Sequence, residues 1–211
     1  MPLKLLAFDW DGTLADNTQD VYEAIKSIFN NYEVEPPSKP DCMANLSSQG
    51  WLSFYYDRGL PGHVTKKDVE PLWQKYFSSK EPVNLRGGVL EVFSLCQQNN
   101  VKICIVSGSF KEVISNCLSK RGLRGFVDHI EGSASGKIDE LRKVAHLFSV
   151  RPEEMTYVDD SYEGISAAKT VGASAFAILG GMTSKERLLE ANPDYLIDHL
   201  HQLLPFIPLC E

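Results

Sequence analysis

The chain has 211 residues, 43% of them apolar and 23% charged, with a formal charge of −7. This balance argues against disordered, collagen-like and membrane-spanning classes, and the length suits one domain of about 130 to 150 residues plus a smaller insert. The negative charge removes the basic footprint that nucleic-acid binding needs, and it repels an anionic substrate unless a local cation or bound metal reverses the field.

From the N-terminus, Leu3 to Phe8 is an apolar run broken once by Lys4, so a buried parallel strand is expected there, followed by a tight loop at Asp9-Trp10-Asp11-Gly12-Thr13. The opening Met1-Pro2-Leu3-Lys4 runs straight into this strand rather than forming a secretory leader, and no stretch of about 18 apolar residues follows. A cytoplasmic protein is therefore expected. The five cysteines (Cys42, Cys96, Cys104, Cys117, Cys210) lack any ligand spacing and read as reduced thiols.

Residues 16–83 carry helical periodicity without a buried-strand run. Asn17 is placed to cap a helix bearing Val21, Ile25, Ile28, Phe29 and Tyr32. Pro36, Pro37 and Pro40 interrupt the chain, and the stretch from Asp41 to Gly62 is expected to be helical. Thr65-Lys66-Lys67-Asp68 resembles a capping box that opens a helix with Val69, Leu72, Trp73, Tyr76 and Phe77. The segment is expected to be a helical insert.

Beyond it, Val101 to Val106 repeats the strand pattern and ends at Ser107-Gly108-Ser109, while Met155 to Val158 repeats it again and ends at Asp159-Asp160-Ser161. Between and after these strands the period is helical: Val113, Ile114, Cys117 and Leu118 share a face, as do Ile138, Leu141, Ala145 and Phe148, then Ile165, Ala168 and Val171, with Gly172 as a stop. Alternating strands and helices imply an α/β fold with a parallel sheet covered on both faces, and ligands of such sheets bind at the carboxyl ends of the strands.

Polar residues gather at those ends. Asp9 and Asp11 suit a nucleophile and a proton-transfer group, although Asp11-Gly12 alone reads equally as turn chemistry. Ser107, Gly108 and Ser109 precede a helix and form an anion site without added charge, or Ser109 is an ordinary N-cap. Lys137 begins a helix against the macrodipole, so an anion such as phosphate or Asp9 should hold it there; a solvated loop lysine is the alternative. Asp159 and Asp160 repel one another unless a cation lies near, and hard oxygen donors suit Mg²⁺; alternatively Asp160 caps the next helix.

Four motifs taken in order, Phe8-Asp9-Trp10-Asp11-Gly12-Thr13-Leu14, Val106-Ser107-Gly108, Lys137 and Val158-Asp159-Asp160-Ser161, resemble the haloacid dehalogenase superfamily of phosphohydrolases. The resemblance implies a Rossmann-like core (residues 1–15 and 84–211) and a mobile helical cap (16–83), as in phosphoglycolate-phosphatase-like members. It implies Asp9 as nucleophile and Asp11 as acid/base. Gly12, Thr13, Ser107, Gly108 and Lys137 are the expected phosphoryl contacts, and Mg²⁺ is expected on Asp9, the Asp11 carbonyl and Asp160. Two departures stand out: the glycine usual before the metal aspartate is Asp159, and the acidic residue usual four positions after it is Gly164. Asp159 or Glu163 is the expected substitute. The implied substrate is a small phosphate ester, with no nucleic-acid or membrane partner, and Asn45, Ser47, Ser48, Gln49, Trp51 and Arg58 are candidate readers of the leaving group. A phosphomutase and an impaired phosphate-binding protein are the alternative readings.

Overall fold

The computed structural model describes residues 2–46, 51–78, 80–132 and 136–209. Its strands are β1 (Leu5–Phe8), β2 (Ala15–Asp16), β3 (Asn84–Leu85), β4 (Lys102–Val106), β5 (His129–Glu131), β6 (Met155–Asp159), β7 (Ser174–Ile178) and β8 (Tyr195–Ile197). Six of them form one parallel sheet in the order β5-β4-β1-β6-β7-β8, and β2 pairs antiparallel with β3. The chain moves outward from β1 through β4 to β5, then returns to β6 on the other side of β1. The carboxyl ends of β1, β4 and β6 therefore lie side by side at the point where the strand order reverses.

Side-chain alternation along these strands sorts the core into two layers. Leu6, Phe8, Ile103, Ile105, Val158, Phe176 and Ile178 point to one face. They meet helices α5 (Val89–Gln98) and α6 (Lys111–Lys120), whose Phe93 and Ile114 are fully buried. Leu5, Ala7, Cys104, Met155, Tyr157, Ala175 and Ala177 point to the other. They meet α7 (Lys137–Leu147), α8 (Tyr162–Val171) and α9 (Lys185–Glu190) through Leu141, Ile165, Ala168 and Leu188. An α/β core with helices on both faces results, as the alternating periodicity implies.

The sequence pattern marks three strands of this sheet, and the structure adds β5, β7 and β8. β5 and β8 have three residues each, too few to show a period. β7 is buried from Ala175 to Ile178, but two of its five residues are alanines, which are weak strand formers, so its run does not show the branched apolar pattern of the other strands.

Helices α1 (Thr18–Asn31), α2 (Lys39–Asn45), α3 (Trp51–Tyr56) and α4 (Lys66–Ser78) gather around an apolar cluster of their own, built on Val21, Ile25, Phe29, Phe54, Tyr55 and Val69. Tyr55 stacks on Phe29 at 5.6 Å and accepts a hydrogen bond from Trp73 Nε1 at 3.1 Å. Met182, from the loop after β7, packs against this cluster. Cys42, Cys96, Cys104 and Cys117 are buried free thiols, and burial pushes Cys96 up to about 12. No helix among the described residues is long and apolar enough to cross a membrane.

Phe93 is fully buried, 5.9 Å from the Phe8 ring. Phe93→Ala should lower the unfolding free energy by about 3 to 5 kcal/mol through lost transfer energy and the cavity left behind, as a shift of the urea midpoint in circular dichroism would record.

Candidate active site

β1 ends one residue before Asp9, whose N–H donates to Val158 O on β6 at 2.9 Å and so keeps the strand register one step into the loop. The carboxylate of Asp9 accepts a hydrogen bond from Lys137, the first residue of α7. The same ammonium donates to Asp159 Oδ2 at 3.0 Å, to the Tyr157 hydroxyl at 2.7 Å and to Val106 O at 3.2 Å. Tyr157 in turn donates to Val106 O at 2.8 Å. The opposition between Lys137 and the α7 macrodipole is therefore met by two carboxylates, the kind of partner the sequence calls for.

Oxygens of Asp9, Asp159 and Asp160 lie within 4.8 Å of one another, and all three residues are buried. Burial raises the Asp9 carboxyl well above its ordinary range; Lys137 opposes the shift, and the neighbouring carboxylates of Asp159, Asp160 and Asp11 add to it. Asp160 is pushed up to about 7, first by burial and then by Asp159, against the Met182 N–H, the Thr13 hydroxyl and Lys137. For Lys137, burial favours the neutral amine, but Asp159 and Asp9 outweigh it and hold the ammonium above the usual lysine range. One ammonium facing three carboxylates in a dry pocket leaves an excess of negative charge. Hard oxygen donors so arranged fit a divalent cation of the Mg²⁺ type.

Asp11 faces a different set of donors. Asn17 Nδ2 donates to its Oδ1 at 2.6 Å, and the Ser109 hydroxyl donates to its Oδ2. Burial raises its carboxyl, and these two hydrogen bonds, with Lys137, work against the rise. Asn17 and Ser109 both precede helices, and on sequence grounds Asn17 is a cap and Ser109 either a cap or part of an anion site. Neither caps with its side chain, because Asn17 is taken by Asp11 and by the Gly12 N–H at 3.1 Å, and Ser109 by Asp11. Nor does Asp160 cap α8; Ser161 does so, accepting from Gly164 N at 3.0 Å.

Two residues expected at the phosphoryl group are turned inward. Thr13 is fully buried and donates to Asp160 Oδ1 at 3.1 Å. Gly12, at φ +75°, has its N–H directed to Ala15 O and Asn17 Oδ1, and a Cβ there would stand 2.3 Å from Asp160 Oδ2. Its role in this structure is to let the loop close over Asp160. Ser107 is buried at the end of β4 and Gly108 beside it is exposed, on the loop that brings Ser109 to Asp11. Glu163 lies on α8, outside the trio of clustered carboxylates.

In the insert, Arg58 is engaged by Asp41 at two points, 2.5 and 2.9 Å, donates to Phe54 O at 3.1 Å and lies 4.2 Å over the Phe54 ring. Its fork is thus occupied within the insert rather than offered to a leaving group. Asn45 joins the same Asp41. Ser47, Ser48, Gln49 and the Trp51 side chain lie outside the described residues.

A residue with no sequence signal also organises the site. Arg86, just past β3, donates to Gly12 O at 2.7 Å and to Leu179 O at 2.5 Å, tying the loop after β1 to the loop after β7. A cavity of about 240 Å³ opens beside Asp11, walled by Trp10, Asn17, Ser109, Phe77 of α4 and Val83.

Residues 6–178 match the family model described as haloacid dehalogenase-like hydrolase. The chain belongs to that family. Among its relatives, phosphoglycolate phosphatase 1 of Pseudomonas aeruginosa is 23% identical over 96% of this chain and 79% of its own. The phosphoglycolate phosphatase of Synechococcus elongatus is 22% identical over 96% of both. Of the solved structures, a predicted phosphatase from Clostridium acetobutylicum superposes with a TM-score of 0.84 at 17% identity, covering 98% of this chain and 99% of that one. CbbY from Rhodobacter sphaeroides in complex with phosphate gives 0.81 at 20%, covering 97% and 99%. The fold of this hydrolase is thus that of the haloacid dehalogenase-like proteins over nearly its whole length.

The raised Asp160 carboxyl has a consequence for this hydrolase that stability measurements can read. In the folded, metal-free chain the group keeps a proton up to about pH 7, whereas the unfolded chain releases it near pH 4. Between those values the folded state binds more protons, so stability in chelator falls as pH rises. Asp160→Asn should lessen that slope, leaving the part due to the raised Asp9 and Asp11 carboxyls, and melt higher than wild type at pH 8 in EDTA. Thermal melts of both proteins at pH 5 and pH 8 provide the check, and a variant no more stable than wild type at pH 8 contradicts the assignment.

Proposed function

We propose that this chain is a Mg²⁺-dependent phosphatase that hydrolyses a small-molecule phosphate monoester, of the phosphoglycolate or sugar phosphate kind, through an aspartyl-phosphate on Asp9. The observation that carries this reading is the ion pair of Lys137 with Asp9, two residues before an Asp11 held by two donors of its own. Family membership and the names of the relatives agree with it.

In this reading Asp9 attacks phosphorus and the bond to the ester oxygen breaks. Lys137 holds the nucleophile in place and draws on the phosphoryl oxygens as their charge develops. Asp11, whose burial favours the protonated acid, gives its proton to the departing oxygen. It then takes one from the water that attacks the aspartyl-phosphate, releasing inorganic phosphate and restoring Asp9. Asp9 and Asp160, with the Asp11 carbonyl, are the groups that would hold Mg²⁺, which supplies charge neutralisation for the dianionic substrate. Ser107 and the backbone of Gly108 border the phosphoryl position.

Residues 16–83 act in this proposal as a cap over the site, joined to the remainder through residues 15–16 and 84–85. The cavity beside Asp11 receives the leaving group. At about 240 Å³ it falls below the roughly 300 to 1,000 Å³ usual for drug-sized ligands, which favours an ester of few carbon atoms. The xylulose-1,5-bisphosphate bound to a variant of CbbY is an ester of that kind, and the phosphate bound to CbbY is the product such hydrolysis would release, both in a protein of the same fold.

Asp9→Asn should lower phosphate release from such esters by about 10³-fold or more while leaving the circular dichroism spectrum intact; an unchanged kcat would remove the proposed nucleophile. EDTA should inactivate the wild-type protein and Mg²⁺ restore it. Full turnover in chelated buffer would contradict the part given to Asp160.

A further inference from the structure

Asp160 lies in a cradle that two loops build in the same way. From the loop after β1, Thr13 donates to its Oδ1 at 3.1 Å, and a Cβ on the adjoining Gly12 would stand 2.3 Å from its Oδ2. From the loop after β7, the Met182 N–H donates to Oδ2 at 2.5 Å, and a Cβ on the adjoining Gly181 would stand 2.1 Å from the same oxygen. Each loop thus contributes a hydrogen-bond donor and, next to it, a glycine whose bare backbone permits the close approach. The carboxylate keeps its place only while the two loops keep their separation.

Arg86 spans that separation. Its backbone N–H donates to Leu14 O at 2.9 Å, which anchors it one residue past β3. Its two terminal nitrogens then reach one loop each, Nη1 to Gly12 O at 2.7 Å and Nη2 to Leu179 O at 2.5 Å. Gly180, at φ +79°, passes close to the second of these, and a Cβ there would stand 3.2 Å from Nη2. Gly12 is consequently pinned from both sides, by Arg86 at its carbonyl and by Ala15 O and Asn17 Oδ1 at its N–H. Because a trans peptide is planar, the anchored Gly12 N–H also fixes the direction of the Asp11 carbonyl.

We propose that Arg86 is a positioning residue for the Mg²⁺ site, a fork that fixes the two loops and acts through the Asp11 carbonyl and Asp160 rather than on the substrate. The proposal deepens the phosphatase reading and rests on its metal assignment. Charge and geometry pull in opposite directions at this position. As a positive charge near the cluster Arg86 opposes a divalent ion, whereas as a clamp it prepares the oxygens that would hold one. A lysine keeps the charge and loses the fork, since one ammonium does not reproduce a planar pair of donors. It therefore separates the two effects.

Wild type, Arg86→Lys and Arg86→Met are compared by Mg²⁺ titration in a calorimeter, by melting in EDTA and in excess Mg²⁺, and by turnover of p-nitrophenyl phosphate against Mg²⁺ concentration. Both variants should bind Mg²⁺ about 10- to 100-fold more weakly, the range typical of groups that orient metal ligands from behind, with Arg86→Lys the weaker of the two. The rise in melting temperature on adding a fixed excess of Mg²⁺ should shrink accordingly, and half-maximal turnover should need correspondingly more of the ion. Arg86→Lys carries the decision alone if Arg86→Met does not fold. Variants that melt below wild type in EDTA yet bind Mg²⁺ equally well would mark a staple of the fold and overturn the proposal. So would an Arg86→Met protein that binds Mg²⁺ more tightly than wild type, the result if charge outweighs geometry. Turnover lost at every Mg²⁺ concentration with affinity unchanged, the sign of a substrate contact, overturns it too. A wild type that binds no Mg²⁺ removes the metal assignment and the proposal with it. A wild type that binds Mg²⁺ but releases no phosphate removes the phosphatase reading alone, and the calorimetry still decides the role of Arg86.

Discussion

The ammonium of Lys137, lodged between Asp9 and Asp159 with Tyr157 and Val106 O behind it, is the contact on which the remaining arrangement depends. Four carboxylates converge on the carboxyl edge of the sheet, and a cluster of that sign in a dry pocket is tolerated only where cations and donors answer it. The sheet order supplies the convergence. With β1 between β4 and β6, the loop carrying Asp9, the carbonyl of Val106 and the pair Asp159-Asp160 become neighbours although they are about 50 to 150 positions apart in sequence. The alternation of side chains does the rest, because Tyr157 and Asp159 sit two residues apart on one strand and so face the same way.

Much of this was legible in the chain. Continuous apolar runs that end in acidic or hydroxyl residues mark β1, β4 and β6, and the strand-then-helix alternation fixes the class of fold. Lys137 could be suspected because it begins a helix where a cation is unwelcome. What the sequence does not record is which partner a polar side chain chooses. Asn17 and Ser109 have the chemistry of helix caps, and the same chemistry holds Asp11; only the position of the first loop decides between them. Thr13 looks outward in a motif and is buried against Asp160 in space. Arg58, the one lysine or arginine between Lys39 and Lys66, pairs with Asp41 on a neighbouring helix. Asp159 and Gly164 read as two separate irregularities along the chain, yet the turn at Ser161 folds them onto one volume.

Several of the contacts that shape the cluster come from outside the strands that bear it. Arg86 lies in the segment that returns from the insert, and it joins the carbonyls of Gly12 and Leu179, one on each side of Asp160. Burial makes its charge harder to keep, and the nearby Asp160 and Asp16 favour it. Met182 has two attachments: its backbone N–H meets Asp160 Oδ2 at 2.5 Å while its side chain joins the apolar cluster of the insert. The loop after β7 thereby touches both the acidic cluster and the insert.

The short ladder of β2 and β3, Asp16 opposite Asn84 and Ala15 opposite Leu85, gives the long excursion between them an unusual freedom. Its two ends are clasped at a fixed separation, so to the sheet beneath, the whole helical segment counts as no more than a hairpin loop. Lengthening or reshaping such a loop costs little more in closure entropy, because that cost grows only with the logarithm of its length. The helices above the clasp can therefore vary in length at little entropic cost, while Asn17 at Asp11 and Met182 at Asp160 remain the points where they bear on the charges below.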